Sequence, residues 1–356
     1  MRQRLRLLLE EGKADGAVRA VWPLLALLSF FYSLCVRGMR LFYRSPAGNA
    51  YRPRAKVVSV GNITLGGTGK TPLVRLIAEY LYSRDKRVAV LLRGYRRPGA
   101  GTRDFDVLGD EGAWLKRVLV AKADVFAASD RRRLAREVDA RGGYDVFLLD
   151  DGFQHWRLRR DLDIVAVDAT RGLGNGFLIP AGPLREEAGS LRRAAVICLT
   201  RTDEVPAPAG HVLRQRLARL APQALLVELA VRPEAVVRAA TGARVDAAQV
   251  RGKKAGLLCA IGNPASFLRT AQGLGIDVVY HRFFEDHHAV TRQELADVLR
   301  VSAQRGAQTL VMTGKDAARL EGALPEEADI WVVEAALAFV RGREHLYGRL
   351  DSLFSL

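Results

Sequence analysis

From residue 56 onward, short apolar runs alternate with stretches in which hydrophobic residues recur every three or four positions. Runs of the first kind suit buried strands and the second kind amphipathic helices, and their alternation is the signature of a parallel α/β sheet. Strands are predicted at 56–61, 87–92, 124–127, 145–150, 163–168 and 195–200, with helices at 70–83, 111–118 and 131–140. Around 203–210 (DEVPAPAG) the composition shifts to Pro, Ala and acidic residues, which predicts a hinge or linker. A second series of strands follows at 224–231, 255–261, 277–283, 309–313 and 329–333. The pattern predicts two lobes with a cleft, and in open α/β sheets ligands bind beyond the carboxyl ends of the strands.

Ahead of this alternation lies a different pattern. Residues 20–36 (AVWPLLALLSFFYSLCV) carry no charge and are bracketed by Arg19 and by Arg37, Arg40 and Arg44. A helix spanning the hydrocarbon needs about 20 apolar residues, so this stretch is at the short limit. A cleavable signal peptide would end in small residues, whereas this one runs into Arg37 and Met39–Arg40. Trp22 and Tyr32 favour an interface, and flanking arginines favour an anionic leaflet. The segment is expected to anchor a cytoplasmic enzyme to a membrane surface.

Composition excludes several classes. The 356 residues are 49% hydrophobic and 26% charged, ordinary for a globular chain and unlike a disordered or fibrous one. Cys35, Cys198 and Cys259 lie far apart without a CxxC pair, which argues against disulfide scaffolds and zinc sites. The net charge of +16 suits an anionic partner, and nearly half of the excess falls in the first 54 residues. With no interleaved aromatics and no known module, charge alone does not make a nucleic-acid binder.

The strongest chemical signal is VVSVGNITLGGTGKTPLVRLIAEYL, residues 57–81. An apolar strand enters a Gly-rich turn and leaves as a helix. Such glycines let backbone N–H groups wrap phosphate oxygens at a helix N-terminus. Position 64 is Thr where the strict pattern has Gly, but Thr64, Leu65, Gly66, Gly67, Thr68, Gly69, Lys70 and Thr71 stand in the right strand–turn–helix context for a nucleotide. Lys70 would neutralise the β- and γ-phosphates and Thr71 would offer a hydroxyl to Mg²⁺. An apolar strand then ends in Asp150 and Asp151, where one carboxylate is expected near the metal and the other orienting ligands. Gln154 and His155 follow within DDGFQH. In the second lobe, Glu285-Asp286-His287-His288 juxtaposes carboxylate and imidazole, an acid–base pair if it faces the nucleotide. Arg93-Gly94-Tyr95 follows a strand and could grip a phosphate. Asp110 opens a helix either as a cap or as chemistry. Residues 172–187 read as a binding loop ending in Arg185-Glu186-Glu187. Thr200-Arg201-Thr202-Asp203 lacks the Asn and Lys of a guanine reader.

The ordered set GNITLGGTGKTP, RGY, GDE, LDDGFQH, IPAGPLRE, EDH and TGKD resembles the tetraacyldisaccharide 4′-kinase family of lipid A biosynthesis, from about residue 15 to about residue 320. That resemblance implies an α/β fold with a P-loop NTPase-like parallel-sheet lobe, a second smaller α/β lobe and an N-terminal hydrophobic helix. It implies a membrane-associated helix at 1–45, a P-loop kinase core at 46–205, and a C-terminal lobe at 206–356 closing over the active site. The activity implied is ATP- and Mg²⁺-dependent phosphorylation of the 4′-hydroxyl of a tetraacylated glucosamine disaccharide 1-phosphate at the cytoplasmic face of the inner membrane. Asp110 and His287 match the pair that activates the hydroxyl, with Asp286 adjacent. Thr71, Asp150, Asp151 and Glu186 match the metal side, and Arg93, Tyr95, Gln154 and His155 the substrate side. Neither nucleic acid nor an obligate protein partner is implied. The chain differs from the usual family pattern at Gly112, Glu187 and Gly314, neighbours that shape loops. The competing expectation is a membrane-associated ATPase switch of the partitioning or septum-site type, which would need a signature lysine where Leu65 stands.

Overall fold

The computed structural model describes residues 16–94, 108–286, 288–320, 322, 324, 325 and 327–355. These form two compact units, one from residues of 1–108, 119–230 and 339–356, the other from residues of 109–118 and 231–338.

The first unit is a parallel sheet in the order β3 (Asp124–Ala128), β2 (Val88–Arg93), β4 (Val146–Asp150), β1 (Lys56–Gly61), β5 (Leu162–Asp168), β6 (Val196–Thr200) and the start of β7 (Leu225–Arg238). Parallel strands buried on both faces read as near-continuous apolar runs, and five of the six residues of β1 are buried. Val58 aligns with Leu148 of β4 on one side and Leu162 of β5 on the other. On one face Val57, Ala89, Leu91, Phe147 and Leu149 pack beneath Leu134, Ala135 and Val138 of a helix at Arg131–Arg141. Another cluster gathers Phe153, Val165, Val167 and Ile197 with Leu217. From β1 the chain crosses to β2 on one side, while β5 lies on the other. The carboxyl end of β1 is therefore a switch in strand order, where α/β sheets open a crevice for ligands.

The second unit holds β11 (Ile330–Arg341), β10 (Thr309–Thr313), β8 (Lys254–Cys259) and β9 (Asp277–Phe283) in that order, with parallel pairs around β10 and β8. Its core is built on Trp331, Leu257, Val311 and Phe267.

Two expectations from the sequence change here. The stretch read as a linker at 203–210 runs into a helix, Ala207–Leu220. Pro206 stands at its N-cap and Pro208 in its first turn, where proline is tolerated because the missing N–H has no intrahelical acceptor anyway. β7 and β11 also run on to Arg238 and Arg341, past the apolar segments at 224–231 and 329–333. In β7 the apolar run is broken by Arg232, Pro233 and Glu234 and in β11 by Glu334, and beyond those breaks both strands are mostly half-buried, so a search for continuous apolar runs stops early.

The N-terminal helix, α1 (Gly16–Arg44), inverts the usual burial pattern. Its buried positions include Ser29 and Ser33, whereas Leu24, Leu27, Leu28, Phe30, Phe31, Leu34, Leu41 and Phe42 are exposed. By length and composition it can cross a membrane. At the other terminus Tyr347, in a helix at Arg343–Asp351, stacks on Tyr80 at 3.7 Å, and Tyr80 donates to Asp351 at 2.8 Å. This ties the last helix to the one that leaves the Gly-rich turn.

Candidate active site

The Gly-rich turn sits at the carboxyl end of β1. Gly66 and Gly69 take φ of +96° and +82°, values that a Cβ would strain, so glycine is required at both. Gly69 caps the helix α2 (Lys70–Ser83), and β6 supports the turn from behind, Thr200 Oγ1 donating to the Thr68 carbonyl at 3.0 Å. Arg201 adds a second brace through Gly67 O at 3.3 Å and Asp168 at 2.6 Å. These contacts give TRTD a structural role beneath the turn.

At the end of β4 the two aspartates diverge because Asp151 adopts a left-handed backbone, φ +52°. Asp150, 4% exposed, faces the buried Thr71, whose hydroxyl donates to Asp150 Oδ2 at 3.4 Å. Asp151 faces the cations instead. Lys70 Nζ lies 3.7 Å from its Oδ1, and Arg185 forks onto both oxygens at 2.7 and 3.0 Å. Burial alone would raise the Asp151 pKa, but Lys70, Arg185 and Arg131 together hold it well below the usual carboxylate range. Arg131 is itself buried and donates to the carbonyls of Asp150 and Asp151 at 2.6 and 3.2 Å. Asp130 caps that helix through the N–H groups of Arg132 and Arg133, which brings Arg131 to the strand end.

A cavity of about 450 Å³ opens beside these groups. Tyr32, Val36, Met39 and Tyr43 of α1 form one wall. Arg93, Arg131, Arg157 and Arg185 supply positive charge, and Asp151, Gln154, His155 and Trp156 complete the polar lining. Burial first, then Arg131, Arg160 and Arg157, push the His155 imidazole down to about 3, so it is neutral at physiological pH. Gln154 Oε1, His155 Nε2 and Trp156 Nε1 are buried without a hydrogen-bond partner among the described residues. Three unpaired polar atoms on one short segment are costly unless a ligand or water satisfies them.

Glu186, expected on the metal side, occupies a different place. It is 1% exposed, with its oxygens taken by Arg193 at 2.8 and 2.9 Å and by Gln154 at 3.0 Å. That ion pair orients Gln154 and leaves Thr71 and Asp150 as the pair suited to a divalent cation. Among the described residues no group of three or more His, Cys, Asp and Glu stands ready for a metal. Mg²⁺ needs none, since it binds through one or two carboxylates plus substrate phosphates and water.

Tyr95 and His287 lie outside the described residues, as does the side chain of Asp110, although the backbone of Asp110 falls in the first turn of a helix at Gly109–Val118. Asp286 is exposed in a turn after β9. Within the second unit, Lys315 of TGKD pairs with Glu111 of GDE at 2.9 Å, and a Cβ on Gly314 would meet Trp114 Nε1 at 3.1 Å. Glycine at 314 is thus fitted to the tryptophan packed on it. The sequence does not point to Arg131, to Trp156, to Asn62, whose Oδ1 accepts from Arg185 at 3.0 Å, or to Val36, Met39 and Tyr43 of the wall, and it places Tyr32 at a membrane interface rather than in the cavity. The signal available was positional only: Arg131 follows a capping aspartate, and Arg185 stands inside IPAGPLRE.

The sequence matches the family described as tetraacyldisaccharide-1-P 4′-kinase over residues 21–355. Relatives named tetraacyldisaccharide 4′-kinase include one from Anaeromyxobacter sp. (strain K), 38% identical over 352 residues that cover 95% of this chain and 91% of the relative. Another, from Halothermothrix orenii, is 30% identical over 334 residues, 88% of this chain and 86% of the relative. The crystal structure of the "apo" form of LpxK from Aquifex aeolicus in complex with ATP superposes with a TM-score of 0.69, covering 95% of this chain and 99% of that one. At 24% identity this likeness speaks to the fold. None of these matches favours the partitioning-type ATPase switch.

Proposed function

Because the chain belongs to the tetraacyldisaccharide-1-P 4′-kinase family, we propose that the groups around Lys70, Asp151 and Arg185 are where it transfers the γ-phosphate of ATP to the 4′-hydroxyl of tetraacyldisaccharide 1-phosphate. It is an ATP-dependent lipid kinase of lipid A biosynthesis. One observation carries the placement. Asp151 is both the partner of Lys70 in the phosphate loop and a wall of the cavity, so the donor and acceptor sites share a residue.

In this reading, residues 64–71 cradle the triphosphate with backbone N–H groups at the N-terminus of α2, and Lys70 neutralises its charge. Thr71 and Asp150 would hold Mg²⁺, which supplies further charge neutralisation on the phosphates. The cavity takes the anionic sugar headgroup. Arg93, Arg131 and Arg157 provide the positive field, and Gln154, His155 and Trp156 provide the unpaired polar atoms; for Tyr95 a substrate role rests on the family resemblance of the RGY motif alone. The 4′-oxygen attacks the γ-phosphorus as the bond to ADP breaks, and its proton passes to the Asp110–His287 pair, with Asp286 adjacent. General-base help of this kind is worth about 10²- to 10⁴-fold. Residues 1–45 anchor the enzyme, 46–205 carry the nucleotide, and 206–356 supply His287. The exposed apolar face of α1, flanked by Arg37, Arg40 and Arg44, supports seating of residues 20–36 on a membrane; the cytoplasmic face of the inner membrane, with neither nucleic acid nor an obligate protein partner, is the reading that goes with the kinase assignment.

The test is ATP-dependent phosphate transfer to tetraacyldisaccharide 1-phosphate in detergent micelles with Mg²⁺, for wild type and Asp110→Asn. Product from wild type and its loss in the variant are expected. ATP binding without lipid phosphorylation would overturn the placement, and a variant at the wild-type rate would remove Asp110 from the chemistry.

A further inference from the structure

The loop after β5 is clamped from two sides. On one side it joins the entry to the phosphate loop: Leu65 N donates to Pro183 O at 2.8 Å, and Arg185 N donates to Ile63 O at 2.7 Å. On the other side it is clipped to α1. Ser29, 5% exposed, donates its hydroxyl to Leu178 O at 2.7 Å and accepts from Ala181 N at 3.0 Å. Tyr32 donates to Arg185 O at 3.1 Å, Trp22 meets Phe177 edge-to-face at 5.0 Å, and Arg37 pairs with Glu187 at 2.6 Å. Residues 22, 29, 32 and 37 lie along one side of the helix, opposite the exposed leucines and phenylalanines.

A buried hydroxyl that both donates and accepts fixes two backbone points of the loop at once. The loop in turn fixes the backbone of Arg185, whose side chain holds Asp151 next to Lys70. A continuous run of hydrogen bonds thus connects the face of α1 away from the exposed apolar side chains to the phosphate loop. Its lever is short. Any rotation of α1 about its axis moves Ser29 and Tyr32 against the loop.

We infer that Ser29 and Tyr32 are positioning residues that couple the seating of α1 on a lipid surface to the setting of Arg185 and the phosphate-loop entry. Lipid contact then raises turnover itself, in addition to concentrating enzyme where its acceptor resides. This inference rests on the kinase reading for its turnover arm, and its structural arm stands apart from that reading.

The experiment uses the full chain with vesicles of phosphatidylethanolamine and phosphatidylglycerol, and wild type, Ser29→Ala and Tyr32→Phe. Amide hydrogen exchange is read at Leu65, Leu184 and Arg185, whose N–H groups hold the loop. Vesicles are expected to slow exchange in wild type by at least about threefold, and this protection is lost in both variants while vesicle co-sedimentation stays at wild-type values and both variants remain cooperatively folded, Ser29→Ala with a somewhat lower melting temperature. With the lipid acceptor, kcat falls by about three- to tenfold in both variants while KM for ATP is held, and in Ser29→Ala, whose side chain does not line the cavity, KM for lipid is held as well, the loss expected of a hydrogen bond that positions rather than binds. Equal protection in wild type and variants would overturn the inference. So would loss of vesicle binding in step with activity, because α1 would then serve only as an anchor. Wild type that shows the protection yet phosphorylates no lipid would sink the kinase reading alone. A normal kinase without the protection would sink this inference alone.

Discussion

Replacing Arg185 by Met keeps the aliphatic stem and removes the fork that grips Asp151. The guanidinium makes two charge-assisted bonds to that carboxylate, at 2.7 and 3.0 Å, and a third to Asn62 Oδ1 at 3.0 Å. The two charged side chains are 23% and 27% exposed, so water can partly replace the lost donors. Each such bond contributes about 1.5–3 kcal/mol before that replacement, which leaves a net loss of about 2–3 kcal/mol. Expressed in the transition state, this is roughly a 30- to 150-fold fall in kcat/KM. The sign of the pH effect follows. With its folded pKa depressed below the ordinary 3.8, Asp151 contributes stability that is present above that value and is lost as pH falls toward the folded value. Without Arg185 the folded pKa rises toward 3.8, so that contribution shrinks and less remains to be lost in acid. Arg185→Lys retains a charge but not the fork and should fall between the two. The assay is kcat/KM for the lipid acceptor in micelles, alongside nucleotide binding and thermal unfolding. An Arg185→Met enzyme within about threefold of wild type at neutral pH, with nucleotide binding intact, would refute the role assigned to the fork.

Three further outcomes are expected. His155 stays neutral in the folded chain down to about 3, whereas an unfolded histidine takes up its proton near 6.5, so folding stability drops as pH falls between these values; His155→Asn should flatten that part of a denaturation-versus-pH curve, and an unchanged slope would assign it elsewhere. Cys198 and Cys259 are buried with thiol pKa pushed up, while Cys35 is exposed on α1. A water-soluble thiol reagent should therefore modify Cys35 alone in the native protein, and vesicles should slow that reaction; labelling unaffected by vesicles would argue against the lipid-facing helix. In Gly152→Ala the added Cβ would lie 2.7 Å from Leu149 Cβ and 2.8 Å from Ser59 Oγ, which forces the strand end carrying Asp150 and Asp151 to move. Overpacking of this kind costs about 1–3 kcal/mol, readable as a lower melting temperature together with weaker ATP-dependent turnover.

Much of the framework is legible in short windows of the chain. β1 and β9 fall on the expected residues because a run such as KVVSV or DVVYHRF leaves little choice between strand and helix when turn residues bound it. The Gly-rich turn is legible for the same reason, since a left-handed backbone at Gly66 and Gly69 is a local demand that a local residue meets. The prolines of the helix at Ala207–Leu220 hide it, and the distal halves of β7 and β11 lie beyond the breaks at Arg232–Glu234 and Glu334 in their apolar runs.

Residue types and spacing also determined that carboxylates, lysine and threonine gather at the carboxyl ends of strands. They could not determine which carboxylate meets which partner. Asp150 turns to Thr71 and Asp151 to Lys70 and Arg185 because one residue in a left-handed conformation reverses the direction of the side chain. Glu186 turns to Arg193 and Gln154 because a buried carboxylate must find donors, and those donors come from elsewhere in the chain. The clip of Ser29 onto residues 149 and 152 positions away is equally invisible in any window of sequence. Hydrophobic period and glycine conformation are short-range information carried by neighbouring residues. The partner of a buried polar atom is chosen only when distant segments pack together and exclude the water that would otherwise satisfy it.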